Sequence, residues 1–154
     1  MEFEQRQLIL SILRRADTLT VATVREGGWP QATVVSFVNE DLDIYFGTAP
    51  NSQKIGNISR DPRVSATVTP EHETSENIEA LSLAALAGRV SDPAELLKVA
   101  DLVLKKFPRQ RLPARAAVLD GVAVVRLRPT IVSLLDYSQS FGQTDLIELG
   151  DSQA

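Results

Sequence analysis

The spacing of apolar residues changes along the chain, and each change marks an element. Residues 2–15 carry Phe3, Leu8, Leu10, Ile12 and Leu13 in a roughly helical stripe, which predicts a helix ending before Asp17 and Thr18. Residues 19–24, LTVATV, are β-branched and mostly apolar, and predict a strand covered on both faces. Arg25-Glu26-Gly27-Gly28 is a turn, Trp29 and Pro30 close it, and residues 31–38 form a second strand. A second hairpin turn over residues 39–43 leads to a third strand at 44–48. Pro50 stops that strand, because it has no N–H to give a ladder. A helix over 51–60 follows, with Ile55 and Ile58 three apart on one face and Asp61-Pro62 as its end.

Beyond it, Val64, Ala66 and Val68 alternate with Ser65, Thr67 and Thr69, as in a half-exposed strand. Residues 70–77 are a polar loop, and 78–90 a long strand with a bulge expected near Ala84-Ala85-Leu86-Ala87. Asp92-Pro93-Ala94-Glu95 is the clearest helix start: Asp92 caps, Pro93 takes the first position and Glu95 reaches back in a capping box. Leu96, Leu97, Ala100, Val103 and Leu104 form its expected buried face, and Pro108 ends it. Residues 122–135 predict another long strand, with Pro129 at a bulge or edge; residues 136–149 fit neither period. About six strands, hairpins first and helices at the margins, favour an antiparallel barrel over a doubly wound parallel sheet.

The 154 residues suit one domain with a substantial core, taken as residues 1–150 with a frayed tail at 151–154. The net charge of −4 argues against a general nucleic-acid binder. The absence of cysteine excludes disulfides, cysteine–zinc sites and thiol chemistry, and suits a cytoplasmic protein. The acidic start MEFEQRQLIL is no signal peptide, and no apolar run reaches the length of a membrane span.

The chain has no GxSxG, Walker loop, GxGxxG after a strand, or HExxH. His72 is the single histidine, in a polar loop among Glu71, Glu73 and Glu76, so no metal set is assigned. Asp41 and Asp43 read as turn residues. The anomaly is Lys54, in the stretch IYFGTAPNSQKIGN. It falls in the first turn of the helix, where the dipole is positive and an acid is expected, yet residues 49–57 contain none. Two readings stand open. Either an external anion is held by the free N–H groups, the Thr48 and Ser52 hydroxyls and the Lys54 ammonium, or the stretch is an ordinary cap with a solvated lysine. Lys105, Lys106, Arg109, Arg111 and Arg115 form a basic cluster, either a solvated helix end or a patch for an anionic ligand. Trp29 is either a core plug or a subunit contact. One anion site without acid–base machinery points to chemistry borrowed from a phosphorylated cofactor.

The stretches TLTVATVREGGWPQATVVSFV, IYFGTAPNSQKIGNISRDPRVSATV and LAGRVSDPAE resemble the pyridoxamine 5′-phosphate oxidase-like flavin-binding split barrels, over roughly residues 8–95. The tail SLLDYSQSFGQTDLI resembles one branch of them. The resemblance implies a six-stranded antiparallel Greek-key split barrel with peripheral helices, a homodimer binding FMN between subunits, and a small-molecule substrate. It implies that Gln31, Ala32, Thr33 and Val34 line the ring and ribityl chain, and that Thr48, Ser52, Gln53 and Lys54 hold the phosphate. The family often has arginine where this chain has Gln53, and histidine in the tail at Gln143. The dedicated oxidase grips its substrate with an arginine and a histidine near the C-terminus; here the last arginine is Arg128, so a true pyridoxamine phosphate oxidase is not expected. The expected function is an FMN-dependent oxidoreductase. The alternatives on the same fold are an F420-dependent reductase, whose cofactor's acidic tail would meet the basic cluster, and a non-catalytic flavin-binding, stress-related module. Relatives that bind haem also exist, and the missing histidines weigh against that cofactor here.

Overall fold

The computed structural model describes residues 1–72, 74, 78–108, 121–137 and 144–149. Helix α1, Phe3–Arg15, opens the chain and buries Ile9, Ile12 and Leu13. The Glu2 N–H donates to Gln5 Oε1 at 3.0 Å, tying down its first turn. Strands β1 (Thr18–Val24), β2 (Pro30–Glu40) and β3 (Asp43–Thr48) form two successive hairpins. The second hairpin is tighter than the sequence suggested. Glu40 pairs with Asp43, and Asp41 takes the left-handed φ of 52° that so short a turn demands. β1 also departs from expectation, because Leu19, Val21 and Thr23 are buried while Thr18 and Val24 are exposed. One face is fully covered, while Thr20 and Ala22 make the other only half-covered.

Helix α2 (Gln53–Arg60) links β3 to β4 (Arg63–Val68), and β5 (Glu79–Arg89) pairs back on β4. Helix α3 (Pro93–Lys106) precedes β6 (Ala123–Asp136) and β7 (Thr144–Glu148). The sheet order is β3-β2-β1-β4-β5-β6-β7, all antiparallel, and β6 also pairs with β3. That pairing closes six strands into a barrel with β7 as an extra strand on β6. The β3-β6-β5-β4 order is a Greek key. β6 spans the molecule: residues 123–127 hold β3, while 131–135 hold β7. The expected bulge is real. Between Ala84 and Ala85 the register shifts, Pro129 faces Ala85, and Ile131 faces Ala84. Thr130 is the extra residue, and its hydroxyl donates to the Ala84 carbonyl at 3.2 Å.

The main core fills the barrel with Val21, Phe37, Ile44, Phe46, Val64, Leu81, Val125 and Leu127, lidded by α1. A second cluster, Val38, Tyr45, Val90, Val99 and Val124, lies beneath α3. The buried face of α3 is rotated from the one expected. Val99 and Ala100 are buried, whereas Leu97 and Leu104 are exposed. Asp92 caps as expected, accepting from the Ala94 and Glu95 N–H groups at 3.3 Å. Glu95 makes no capping box; its carboxylate accepts from the Tyr45 hydroxyl at 3.0 Å and from Arg126 at 2.9 Å. Among the described residues no helix is long and apolar enough to cross a membrane.

Candidate functional site

β2 is paired unevenly, and this sets the site. Residues 30–36 pair with β1, but pairing to β3 begins only at Phe37. Among the described residues, the first half of β2 therefore has a backbone edge open to a ligand or another chain. α2 lies nearby, packed against β1 and β5.

Strand alternation divides the four expected ring-lining residues. Gln31 and Thr33 are half-buried and share the parity of buried Phe37, whereas Ala32 and Val34 are exposed on the opposite face. A ligand lying along the open edge meets the backbone of all four but the side chains of one parity only. Thr33 Oγ1 is buried and has no hydrogen-bond partner among the described residues. An orphaned hydroxyl of this kind costs about 1–3 kcal/mol.

The expected phosphate residues come together at the end of β3 and the start of α2. Thr48 Oγ1 donates to Ser52 Oγ at 3.2 Å. The Ser52 N–H closes the turn onto the Ala49 carbonyl at 3.0 Å. Just upstream, a Cβ at Gly47 would stand 2.8 Å from Val122 Cγ1, so a larger residue there would have to displace that side chain. Ser52 is the N-cap of α2, so the helix starts one or two residues later than its sequence suggested. Ser52 makes no side-chain cap bond, and the first turn holds no acid. The leading N–H groups thus lack their usual capping oxygen. Lys54 is half-buried in that turn and has no acidic partner among the described residues. Gln53 is exposed beside it. A helix N-terminus without a side-chain cap, two hydroxyls bonded to each other and a lysine with no acidic partner among the described residues are a donor set suited to a phosphate.

Sequence reasoning missed what lies behind this turn. Asn57 is buried, and its Nδ2 donates to Thr23 Oγ1 at 3.0 Å and to Gln31 Oε1 at 3.1 Å. Arg60 donates to Asn57 Oδ1 at 3.0 Å and to the Val24 carbonyl at 3.4 Å. The available signal was Asn57 itself, a polar residue between Ile55 and Ile58 and one turn beyond Lys54.

The basic cluster loses one expected member to the fold. Lys106 Nζ donates to the carbonyls of Leu13 at 3.2 Å and Ala16 at 2.6 Å, and lies 3.9 Å from the Phe37 ring centroid. It caps the negative end of α1 rather than facing a ligand. Burial holds its ammonium below the usual lysine range. Arg109, Arg111 and Arg115 lie outside the described residues, as do Gln143 and the tail at 150–154. His72 is exposed, with Nδ1 3.4 Å from the Pro70 carbonyl, and Glu73 and Glu76 beside it lie outside the described residues.

The family model for pyridoxamine 5′-phosphate oxidase matches residues 6–136. The chain belongs to that family. The match runs from α1 through the barrel to the end of β6, so it includes the β2 edge and the α2 turn. A conserved hypothetical protein of Mycobacterium tuberculosis shares the family fold at a TM-score of 0.78 and 23% identity, over 100% of this chain and 95% of that one. A heme binding protein of Mycobacterium smegmatis aligns at a TM-score of 0.76 and 19% identity, over 96% of this chain and 59% of that one. General Stress Protein 26 of Bacillus anthracis aligns at 0.71 and 19%, over 96% of this chain and 100% of that one. No curated protein matches the sequence.

Proposed function

We propose that this family member binds FMN between the open edge of β2 and the N-terminus of α2, and acts as a flavin-dependent oxidoreductase on a small molecule. The observation that carries the proposal is the uncapped, acid-free first turn of α2, with Lys54, which has no acidic partner among the described residues, close to Thr48 and Ser52. Lys54 and the leading N–H groups of α2 bind the phosphate, and the two hydroxyls orient it. Gln31 and Thr33 offer polar atoms to the rest of the cofactor, with the β2 backbone alongside. Bound flavin supplies hydride or electron transfer at its N5. The chain's own residues bind and orient the cofactor and exclude water from one face of it; no side chain is assigned a proton-transfer role. The open edge and the exposed Trp29 and Val34 support a homodimer in which the partner covers the other face.

The F420 reading draws less support. Of the cluster meant to receive that cofactor's acidic tail, Lys106 already serves α1, and Lys105 is the exposed lysine at that end of α3. The relative that binds heme makes a haem reading worth measuring in the same experiment. The test is the absorption spectrum and mass of the ligand released from purified protein, followed by titration with FMN, F420 and haem. FMN released or bound preferentially is the expected result. A preference for F420 or haem, or no bound or bindable flavin, overturns the proposal. Flavin binding without turnover by any reductant and acceptor pair would leave a non-catalytic flavin-binding module.

A further inference from the structure

The polar cluster behind the site has a direction, and Arg60 imposes it. A guanidinium only donates, so the Asn57 atom facing it must be the carbonyl oxygen. The Asn57 amide nitrogen then faces Thr23 and Gln31. A nitrogen donor facing Gln31 requires that Gln31 present its own oxygen inward. Gln31 Nε2 is left without a partner among the described residues, with its donors available. Nothing in Gln31 itself would choose this orientation, because a primary amide is nearly symmetric in shape and opposite in polarity at its two ends. Burial of Asn57 and Thr23 makes the choice firm, since inverting either amide would set donor against donor in a site shielded from water.

Position gives this polarity a use. Gln31 sits opposite Thr23 in the β1–β2 register, on the stretch of β2 that β3 leaves unpaired. Asn57, which holds it, is one helical turn from Lys54 on α2. We infer that Asn57 and Arg60 are positioning residues that lock the Gln31 amide as a hydrogen-bond donor toward an acceptor oxygen of the bound ligand. The inference rests on the flavin reading and deepens it. It makes Gln31 a neutral donor beside the Lys54 turn, which excludes from that place any ligand group that can only donate.

Two measurements test it. In the flavin-free protein, ¹⁵N spectra of the side-chain amides report the polarity directly. The Asn57 amide protons should exchange slowly and those of Gln31 rapidly; the reverse order overturns the inference whether or not the protein binds flavin. The second measurement is FMN affinity of Asn57→Asp, Gln31→Met and the double variant, with the thermal midpoint as a folding control. A carboxylate keeps the Arg60 contact but cannot donate, so Gln31 must turn its nitrogen inward and its oxygen toward the ligand. Asn57→Asp should weaken FMN binding about tenfold, the scale of one lost hydrogen bond, and cost nothing further in the Gln31→Met background. Unchanged affinity in Asn57→Asp, or a loss that persists in the double variant, overturns the inference. Failure of the unaltered protein to bind FMN overturns the flavin reading instead, and the amide exchange then decides the polarity alone.

Discussion

Lys54 is a residue whose surroundings disagree with its charge. A cation in the first turn of a helix faces the positive end of the dipole, and that turn holds no acid to offset it. Lys54→Ala should therefore leave the thermal midpoint unchanged or slightly raised, while FMN affinity falls by about 1.5–3 kcal/mol, the worth of a charge-assisted contact. Isothermal titration checks both the direction and the size; unchanged affinity would remove the phosphate assignment. Asp61 shows the opposite case, a charge fully matched. Its carboxylate accepts from the Arg63 side chain at 2.9 and 2.7 Å and from the Arg63 N–H at 3.1 Å, and these bonds hold its pKa at about 2. A depressed carboxyl stabilises the fold above its unfolded pKa and loses that contribution as pH falls through the folded one. Stabilisation by this pair should thus be present above about pH 4 and gone near pH 2. Carboxyl NMR should titrate Asp61 near 2, and Arg63→Ala should return it toward 3.8.

Helix ends decide how the elements dock. Lys106 closes the carbonyl end of α1 from the last turn of α3, with its ammonium over the Phe37 ring. Lys106→Met keeps the stem but leaves the Leu13 and Ala16 carbonyls without that donor. A loss of about 1–3 kcal/mol is expected in denaturant unfolding, with FMN affinity retained. Weakened F420 binding at unchanged stability would instead restore Lys106 to a ligand patch. The pH dependence has the same sign as that of Asp61, in an alkaline window. Because burial depresses the lysine, its charging opposes folding at neutral pH, and that penalty is relieved as pH rises through the folded pKa toward 10.5. At the other end of α3, Asp92→Ala removes the cap and should cost about 1 kcal/mol, read as a lower thermal midpoint. Both helix-terminal roles rest on residue type: a carboxylate at the start and an ammonium at an end. Only Asp92 was legible beforehand, since its partners are its own neighbours, whereas Lys106 serves a helix 90 residues away.

At the scale of the whole molecule the open half of β2 is the feature that a single chain leaves unfinished. Trp29 is 76% exposed and Val34 68%, beside backbone that β3 does not reach. Apolar side chains along an unpaired strand favour covering by another chain. In the proposed homodimer the partner supplies that cover. Val34→Glu should then convert the dimer to monomer in sedimentation equilibrium and release FMN with it. A variant that stays dimeric, or a parent protein that is monomeric, would remove the shared site. β7 belongs to the same scale. Its sequence, TDLIE, buries only Ile147, too little for a strand pattern, and it forms because β6 offers a free edge at residues 131–135.

By itself the sequence determined what depends on near neighbours: the hairpins, the alternation of β4, the bulge at Ala84, the cap at Asp92 and the mismatch at Lys54. Its family-like stretches also carried the barrel. Tertiary structure alone decided which edge of β2 stays open, which face of α3 is buried, and where Lys106 and Glu95 spend their charges. It also set the direction of the Arg60–Asn57–Gln31 relay, which joins β1, β2 and α2. The reason is the range of the forces involved. Periodicity, turns and caps are settled within a few residues, whereas hydrogen-bond polarity in a buried cluster depends on groups that only the closed barrel brings together.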